Sequence, residues 1–376
     1  MPTAKPSLEL LRSMTDEHVL RAIMEGERLT RTEIAALTGI SKPTISDSVR
    51  RLTEAGVLAD TGERTTGRGR AGSYYSLSPE TGVALVAEIT PRGVKAEAVD
   101  AFGAVVARSR AELGRAAGPE KAAAALREVA GELADGMPLR CAVISAADPV
   151  DRRTGRLVQL PDEPFLIGDL DPVAVLAPLV SGDVLVDNDV NWSARAERDG
   201  GCASGVDDFV YLHLDEGLGA AVVADGEVRR GGSGLTGEIA HVITTGPDGS
   251  ALHFTEFFRE TDLRQPATTA IDVDALRARY RDVLPQLADA LRGVVLAMIA
   301  FVDPQLVVLG GTWGRDPEVL DALAGGPAAP REVAYARATL DEPELAGARA
   351  HAIDTLRTRI VQHATEQQRG AVVTPR

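Results

Sequence analysis

The sequence predicts a two-part chain, with a winged helix-turn-helix fold over residues 1–78 and an α/β fold over residues 79–376. The length of 376 residues allows two to three domains, and the spacing of apolar residues changes near residue 80. Hydrophobic residues make up 44% of the chain and charged residues 25%. These fractions fit a globular protein and exclude the disordered and fibrous classes.

The net charge of −15 supports the same division. Residues 1–78 hold 11 Lys and Arg against 10 Asp and Glu, a net charge of +1, so the remainder carries −16. An acidic surface repels phosphate, and nucleic-acid binding is therefore expected of the first part alone.

Helical spacing predicts three helices in the first part. Their apolar stripes are Val19, Leu20 and Ile23, then Ile34, Ala35 and Leu37, then Ile45, Val49 and Leu52. Thr30 to Glu33 has the form of a capping box at the start of the second helix, and Gly39 ends that helix. Ser41 can cap the third helix. The pattern is typical of a helix-turn-helix.

Burial of the third stripe leaves the polar residues of that helix available to DNA. Its N-terminal half is expected to reach base edges in a major groove, through Ser41, Lys42, Thr44, Ser46 and Arg50. Asp47 either accepts from a cytosine amine or is simply solvated.

Two short strands around a Gly- and Arg-rich loop predict a wing after the third helix. Arg68, Gly69 and Arg70 suit a narrow minor groove, because glycine allows close approach and the arginines supply positive charge. The alternative is a solvated hairpin on a helical protein-interaction module.

Alternating strands and helices predict the α/β part. Helices are expected near residues 119–135, 192–198, 255–260, 271–302, 317–323 and 341–367, the last one packing back onto the domain. The break near Ser78–Glu80 is the best linker.

Four segments of the α/β part hold candidate chemistry. Residues 187–191 place carboxylates and amides at a strand end, where they could bind hydroxyls or form a plain turn. Residues 214–221 resemble a phosphate-binding loop but begin with two acids. Residues 237–241 put Glu238 and His241 three apart, suited to vicinal hydroxyls or to a surface pair. Residues 309–311 suit a nucleotide or a tight turn.

The ordered set of motifs resembles the ROK family (repressor, open reading frame, kinase). The resemblance implies a two-lobed, actin-like sugar-kinase fold with a switch near residues 187–190, and an N-terminal winged helix in the repressor branch. It places Asp189 at the catalytic base and Asn188 at a sugar ligand. It places Glu238, His241 and Glu256 at further sugar-binding positions.

Departures from the family pattern predict that catalysis and cofactors have been lost. Residues 88–92 and 215–217 replace glycine-rich phosphate loops, and Pro91 has no N–H to donate. A carboxylate about 4 Å from an ATP phosphate costs roughly 4 kcal/mol at an effective dielectric of 20. The family's zinc cysteines are missing from residues 244–253. We therefore expect no ATP, no metal, and an inactive Asp189.

These observations predict a DNA-binding transcriptional regulator, expected to be a repressor, that senses a carbohydrate or derivative and is not an enzyme. Double-stranded operator DNA, a sugar-like effector and a homodimer or tetramer are the expected partners. No signal peptide or membrane segment is recognised, and a cytoplasmic location is expected. The alternatives are a ligand-independent regulator whose second part is only a dimer scaffold, and a sugar kinase.

Overall fold

A computed structural model describes residues 8–66, 71–114, 117–160, 166–325 and 333–372. The α-helices are α1 (Leu8–Gly26), α2 (Arg31–Thr38), α3 (Lys42–Glu54), α4 (Pro119–Ala134), α5 (Pro172–Leu176), α6 (Asp189–Gly200), α7 (Phe254–Glu260), α8 (Val273–Ala278), α9 (Tyr280–Val302), α10 (Pro317–Ala324) and α11 (Pro343–Val372). The strands are β1 (Leu29–Thr30), β2 (Leu58–Arg64), β3 (Ser73–Leu77), β4 (Val83–Thr90), β5 (Gly93–Val99), β6 (Val105–Glu112), β7 (Leu139–Ala146), β8 (Val184–Asn188), β9 (Phe209–Leu214), β10 (Leu218–Ala224), β11 (Glu227–Val228), β12 (Ile243–Thr245), β13 (Ala251–His253), β14 (Leu306–Gly310) and β15 (Ala334–Arg337).

The first three helices and a small antiparallel sheet, in the order β1-β3-β2, form a winged helix-turn-helix. The predicted capping box is confirmed, because the Thr30 hydroxyl accepts from the Glu33 N–H and the Glu33 carboxylate accepts from the Thr30 N–H. Gly39 ends α2 with a φ of 70°, a conformation that favours glycine. Ser41 caps α3. Strand β1 was not predicted, because two residues are too few to show a period.

The remaining chain forms two α/β lobes whose sheets share one topology. The first sheet runs β6-β5-β4-β7-β8 and the second runs β11-β10-β9-β14-β15. In each sheet the first three strands are antiparallel neighbours, and the last two are added in parallel. The predicted two-lobed fold is confirmed by this repeated strand order.

Helices cover both faces of the first sheet. One face packs against α4, through residues such as Leu126 and Val129. The other face packs against α11, through residues such as Ala352 and Leu356. The C-terminal helix thus returns to the first lobe, and its apolar residues join one continuous cluster with the core of the winged helix domain.

The predicted single helix over residues 271–302 is wrong, since α8 and α9 are separated at Arg279. Asp272 caps α8, and the break lets Arg277 and the Tyr280 hydroxyl both donate to the Asp316 carboxylate. Of the helices described, only α9 is long and apolar enough to cross a membrane. Its buried residues, among them Leu287, form part of the second lobe's core.

Candidate functional site

The first candidate surface is the outer face of α3. The inner face is buried through Ile45, Ser48, Val49 and Leu52. The predicted DNA-contacting residues lie elsewhere on the helix: Ser41, Lys42, Thr44 and Arg50 are exposed, and Ser46 is half-buried. An exposed polar helix face at the edge of a small domain has the form needed to enter a major groove.

Arg50 is held by two weak ion pairs on this face. Its guanidinium lies 3.5 Å from Asp47 and 3.3 Å from Glu54, and all three side chains are exposed. Exposed pairs of this kind contribute about 0.2–1 kcal/mol, so Arg50 can exchange them for a base or a phosphate. Asp47 is exposed, and its carboxylate lies beside the Arg50 guanidinium.

A buried polar contact that orients α3 was missed by sequence reasoning. The Asp16 carboxylate on α1 is 3% exposed, accepts from the Ser48 hydroxyl, and lies 2.6 Å from Nη2 of Arg51. Its position was detectable, because Asp16 precedes Val19 and Leu20 by three and four residues and so shares their buried face. The contact joins α1 to the non-reading side of α3.

The predicted minor-groove residues Arg68, Gly69 and Arg70 lie outside the described residues. The strands that flank them, β2 and β3, pair antiparallel. Arg28 stacks on the Tyr74 ring at 5.7 Å and pairs with Glu63, so the base of the wing is anchored to the turn after α1.

The second candidate site is the junction of the two lobes, at the end of β8 and the start of α6. Asp187 is buried and lies 2.8 Å from Arg195 and 2.7 Å from Arg230. Asn188 caps α6: its Oδ1 accepts from the Val190 N–H, and its Nδ2 donates to the carbonyls of Ala146 and Asp148. Both side chains are therefore engaged by protein groups, and Asn188 offers a sugar little hydrogen-bonding capacity.

Asp189 differs from these two neighbours, because other carboxylates surround it. Burial, together with the negative charges of Glu88, Asp148 and Asp215, raises the pKa of Asp189 to about 7. Sequence reasoning missed two members of the group. Burial raises the pKa of Asp148 to about 6, and burial with the charges of Glu88 and Asp189 raises that of Glu344 to about 7. Asp148 is fully buried, and its two oxygens accept from the backbone N–H groups of Ile167 and Gly168, whereas Asp189 and Glu344 are half-buried.

Two predicted ligand segments approach each other across the start of β10. A Cβ on Gly219 would lie 2.9 Å from a Val190 methyl, next to Asp189. The following residue, Ala220, donates its N–H to the Gly237 carbonyl, next to Glu238. The strand thus brings the segment of Asp189 and the segment of Glu238 and His241 to neighbouring positions, although they are far apart in sequence.

Glu256 lies on α7 and is engaged by arginines. Its Oε1 is 2.9 Å from Nη2 of Arg264, and its Oε2 pairs with Arg259. The hairpin of β12 and β13 precedes α7, and there the rings of His241 and His253 meet edge to face at 6.0 Å. In the part of the chain that the structure describes, no group of three His, Cys, Asp or Glu residues is arranged to hold a metal ion.

The resemblance to the ROK family places phosphate loops at residues 88–92 and 215–217. Side chains of both segments contact other protein groups. Arg92, after β4, lies 2.6 Å from Glu216 in the turn after β9. Asp215 accepts from the backbone N–H of Thr312 at 2.9 Å and from its hydroxyl. The glycines at 310 and 311 form a tight turn against β9, since a Cβ at Gly311 would lie 2.5 Å from the Leu214 carbonyl oxygen.

Comparison with known proteins gives two family matches. Residues 14–59 match a winged helix-turn-helix DNA-binding domain, and residues 95–255 match the ROK family. A solved ROK family transcriptional regulator, a homolog of the E. coli MLC protein, superposes with a TM-score of 0.60 at 17% identity. The match covers 93% of this chain and 99% of that one, and at this identity it supports the fold.

Two curated proteins are similar over parts of the chain. The xylose repressor of Bacillus subtilis (strain 168) is 21% identical over 237 residues, covering 62% of this chain and 61% of the repressor. The bifunctional enzyme NanE/NanK of Brucella suis biovar 1 (strain 1330) is 30% identical over 149 residues, covering 37% of this chain and 28% of the enzyme. The chain thus spans less than two thirds of either relative.

Proposed function

The chain carries a ROK family domain behind a winged helix-turn-helix domain, and on this premise we propose that it is a transcriptional repressor that senses a sugar or sugar derivative without phosphorylating it. The observation that carries the proposal is the exposed polar face of α3, held in place from behind by Asp16 and Arg51. Similarity to the xylose repressor and to the ROK regulator structure supports it.

Sugar sensing is supported by the group around Asp189. Asp189 and Glu344 are half-buried and have raised pKa values of about 7, and the adjacent segment supplies Glu238 and His241. Neutral and ionised carboxyls together match the donor and acceptor pattern of sugar hydroxyls.

Loss of kinase activity is supported by the closed phosphate loops. An ATP phosphate placed there would meet Asp215 and Glu216, whose partners are already Thr312 and Arg92. The zinc cysteines are replaced by a hairpin in which the Thr244 hydroxyl donates to the Ala290 carbonyl. We propose that neither nucleotide nor zinc is a cofactor of this protein.

Signal transfer from the lobes to DNA runs through α11. This helix shares a buried cluster with the winged helix domain, and its Thr365 hydroxyl lies 3.3 Å from that of Ser13 on α1. A sugar that closes the lobes would bias the position of α3 through these contacts, to the extent that it binds the two states differently. In a cytoplasmic homodimer or tetramer, this would change the spacing of two recognition helices.

A ligand-independent regulator is the second candidate. It is favoured because two of the expected sugar ligands already have protein partners: Asn188 donates to the Ala146 carbonyl, and Glu256 pairs with Arg264. To distinguish the two candidates, the operator is first identified by selecting the fragments of a genomic library that the protein binds. A panel of sugars is then titrated into the protein by calorimetry. The affinity for the operator is finally measured again in the presence of each sugar that binds. We expect one sugar class to bind and to change operator affinity. No heat from any sugar would favour the scaffold role, and sugar-dependent ATP consumption that requires Asp189 would overturn the non-catalytic assignment.

A further inference from the structure

The second lobe contacts the first through a glycine-rich strap, residues 229–237. The strap follows β11 and leads directly to Glu238, and four of its nine residues are glycines. Both of its ends are bound to β10: the N–H of the first residue donates to the Val222 carbonyl, and the carbonyl of the last accepts from the Ala220 N–H, both at 2.8 Å. The middle of the strap is therefore a loop that projects from a fixed base.

The middle of the strap contacts the segment that follows β7 in the first lobe. The Arg152 N–H donates to the Ser233 carbonyl at 3.2 Å, and Nη1 of Arg152 donates to the Gly231 carbonyl at 2.5 Å. Gly234 lies so close to the first lobe that a Cβ there would be 2.1 Å from the Val150 carbonyl oxygen, and its φ of 104° also favours glycine. The approach of the strap to the first lobe thus depends on a glycine at this position.

An ion pair between Arg230 and Asp187 joins the strap to the first lobe a second time. Nη2 of Arg230 lies 2.7 Å from Oδ2 of Asp187, at the end of β8, and the two side chains are 23% and 3% exposed. Removing one partner of a buried pair is normally costly, because the other charge is left alone. Here Asp187 would keep Nη1 of Arg195 at 2.8 Å and Nδ2 of Asn191 at 2.9 Å. Arg230 can therefore leave without stranding a buried carboxylate, as a releasable contact requires.

The strap is held by polar contacts and by little else. Among its nine residues, all of which the structure describes, none belongs to the apolar core of either lobe. Gly231, Gly232 and Ser233 are exposed, so water can replace the partners of their carbonyls when the strap moves away. Segments with few buried apolar contacts open at a low cost in free energy.

We propose that the strap is a releasable contact between the two lobes, and that its release changes the affinity for operator DNA. This inference rests on the proposed function, in which the arrangement of the lobes acts on the winged helix domain through α11. Because the strap leads directly to Glu238, a ligand bound at that residue moves the strap or holds it in place. The ligand then shifts the balance between the joined and the released lobes.

Arg230→Gln in the full chain tests the strap without any ligand. We expect faster hydrogen exchange in the peptides that contain Arg152, because the amide of that residue donates to the strap. Operator affinity should change about fivefold or more, the lower end of ordinary allosteric coupling. Arg229→Gln is the matched control: it removes the same charge at the neighbouring residue, whose partner Asp225 lies in the same lobe, and it should change neither measurement.

A reversible disulfide provides a second test. Arg152→Cys and Ser233→Cys place two thiols where a backbone hydrogen bond joins the residues, and Cys202→Ser removes the half-buried native thiol. Oxidation should form the disulfide and hold the strap on the first lobe, whereas the reduced protein lacks the Arg152 side chain and releases it. The oxidised and reduced forms should differ in operator affinity about fivefold or more, and each single-cysteine variant should show no such difference.

The outcomes separate the strap from the proposed function. Unchanged exchange in Arg230→Gln, or failure of the disulfide to form, would overturn the strap as a contact between the lobes. Unchanged operator affinity in both tests would overturn its coupling to DNA binding. If the wild type binds no specific DNA, the proposed function and the coupling both fail, while exchange and disulfide formation still decide whether the strap joins the lobes.

Discussion

Nη2 of Arg92 lies 2.6 Å from Oε1 of Glu216, so the turn after β4 in the first lobe is joined to the turn after β9 in the second. Because the Arg92 side chain is 75% exposed, the pair contributes little to stability. Its consequence is positional, since it joins the two loops that the resemblance to the ROK family places at the phosphates of a nucleotide, and we propose that it closes this space.

A double-mutant cycle on Arg92→Ala and Glu216→Ala should give a coupling energy below about 1 kcal/mol in urea unfolding. The exposed pair of Arg229 and Asp225 within the second lobe is the matched control. A coupling well above about 2 kcal/mol would mean that the pair is a main stabilising contact between the lobes.

Arg50→Ala should weaken binding to the cognate operator by about 1–3 kcal/mol and leave non-specific binding nearly unchanged, because Arg50 lies on the reading face of α3. Fluorescence anisotropy with cognate and scrambled duplexes measures both. Arg21→Ala is the control, since Arg21 pairs with Glu17 on α1. Equal losses on both duplexes would show that Arg50 contacts only the DNA backbone.

Replacing Arg68 and Arg70 together by Ala should weaken binding to every duplex and reduce the salt dependence of binding by up to about two charge units. The reason is that cations in a wing neutralise phosphates whatever the base sequence. The measurement is the slope of log affinity against log salt concentration. An unchanged slope would assign the loop to the protein-interaction alternative.

Asp16→Ala should destabilise the winged helix domain by about 3 kcal/mol, because it leaves Ser48 and Arg51 without their buried acceptor. Hydrogen exchange of the α3 amides in the full chain reports this domain separately from the lobes. Glu17→Ala, at the next position and exposed, should change the same exchange by less than about 0.5 kcal/mol. Similar effects of both variants would contradict a specific role for Asp16.

The raised pKa of Asp189 makes folding depend on pH. In the unfolded chain this carboxyl releases its proton near pH 4, whereas in the folded protein it retains the proton up to about pH 7. The folded state therefore binds more protons between these values, and stability falls as the pH rises through that window. Asp148 and Glu344 act in the same direction.

Asp189→Asn should consequently reduce the drop in melting temperature between pH 5 and pH 8, without abolishing it. Thermal melts at closely spaced pH values measure this. Asp225→Asn is the control, because the Asp225 side chain is 87% exposed. If the two variants show the same pH dependence, the pKa of Asp189 is not raised in the folded protein.

Purified protein should contain no stoichiometric zinc, and a chelator should leave its melting temperature unchanged. Residues 244–253 supply one histidine and no cysteine, fewer than the four ligands of a structural zinc site. Elemental analysis and melts with and without chelator are the measurements. One zinc per chain would reverse this prediction.

Local signals in the sequence were sufficient for the winged helix domain, whereas the two-lobed fold was expected from the resemblance to the ROK family. The capping box at Thr30, the glycine at 39 and the stripe of Ile45, Val49 and Leu52 act within one or two helical turns, so their effect does not depend on distant residues. Apolar runs likewise indicated β4, β7, β9 and β14 one by one, whereas β15 has no such run and was not predicted.

Tertiary structure alone decided which polar residues remain free to act. The sequence placed Asn188, Asp189 and Glu256 together as ligands, yet Asn188 is engaged by the carbonyls at the end of β7 and Glu256 by Arg264, 8 residues away. Asp148 and Glu344 join Asp189 from distant elements and were not predicted. Hydrogen-bond partners and pKa values depend on distances and burial that long-range packing creates, and residue spacing along the chain carries no record of them.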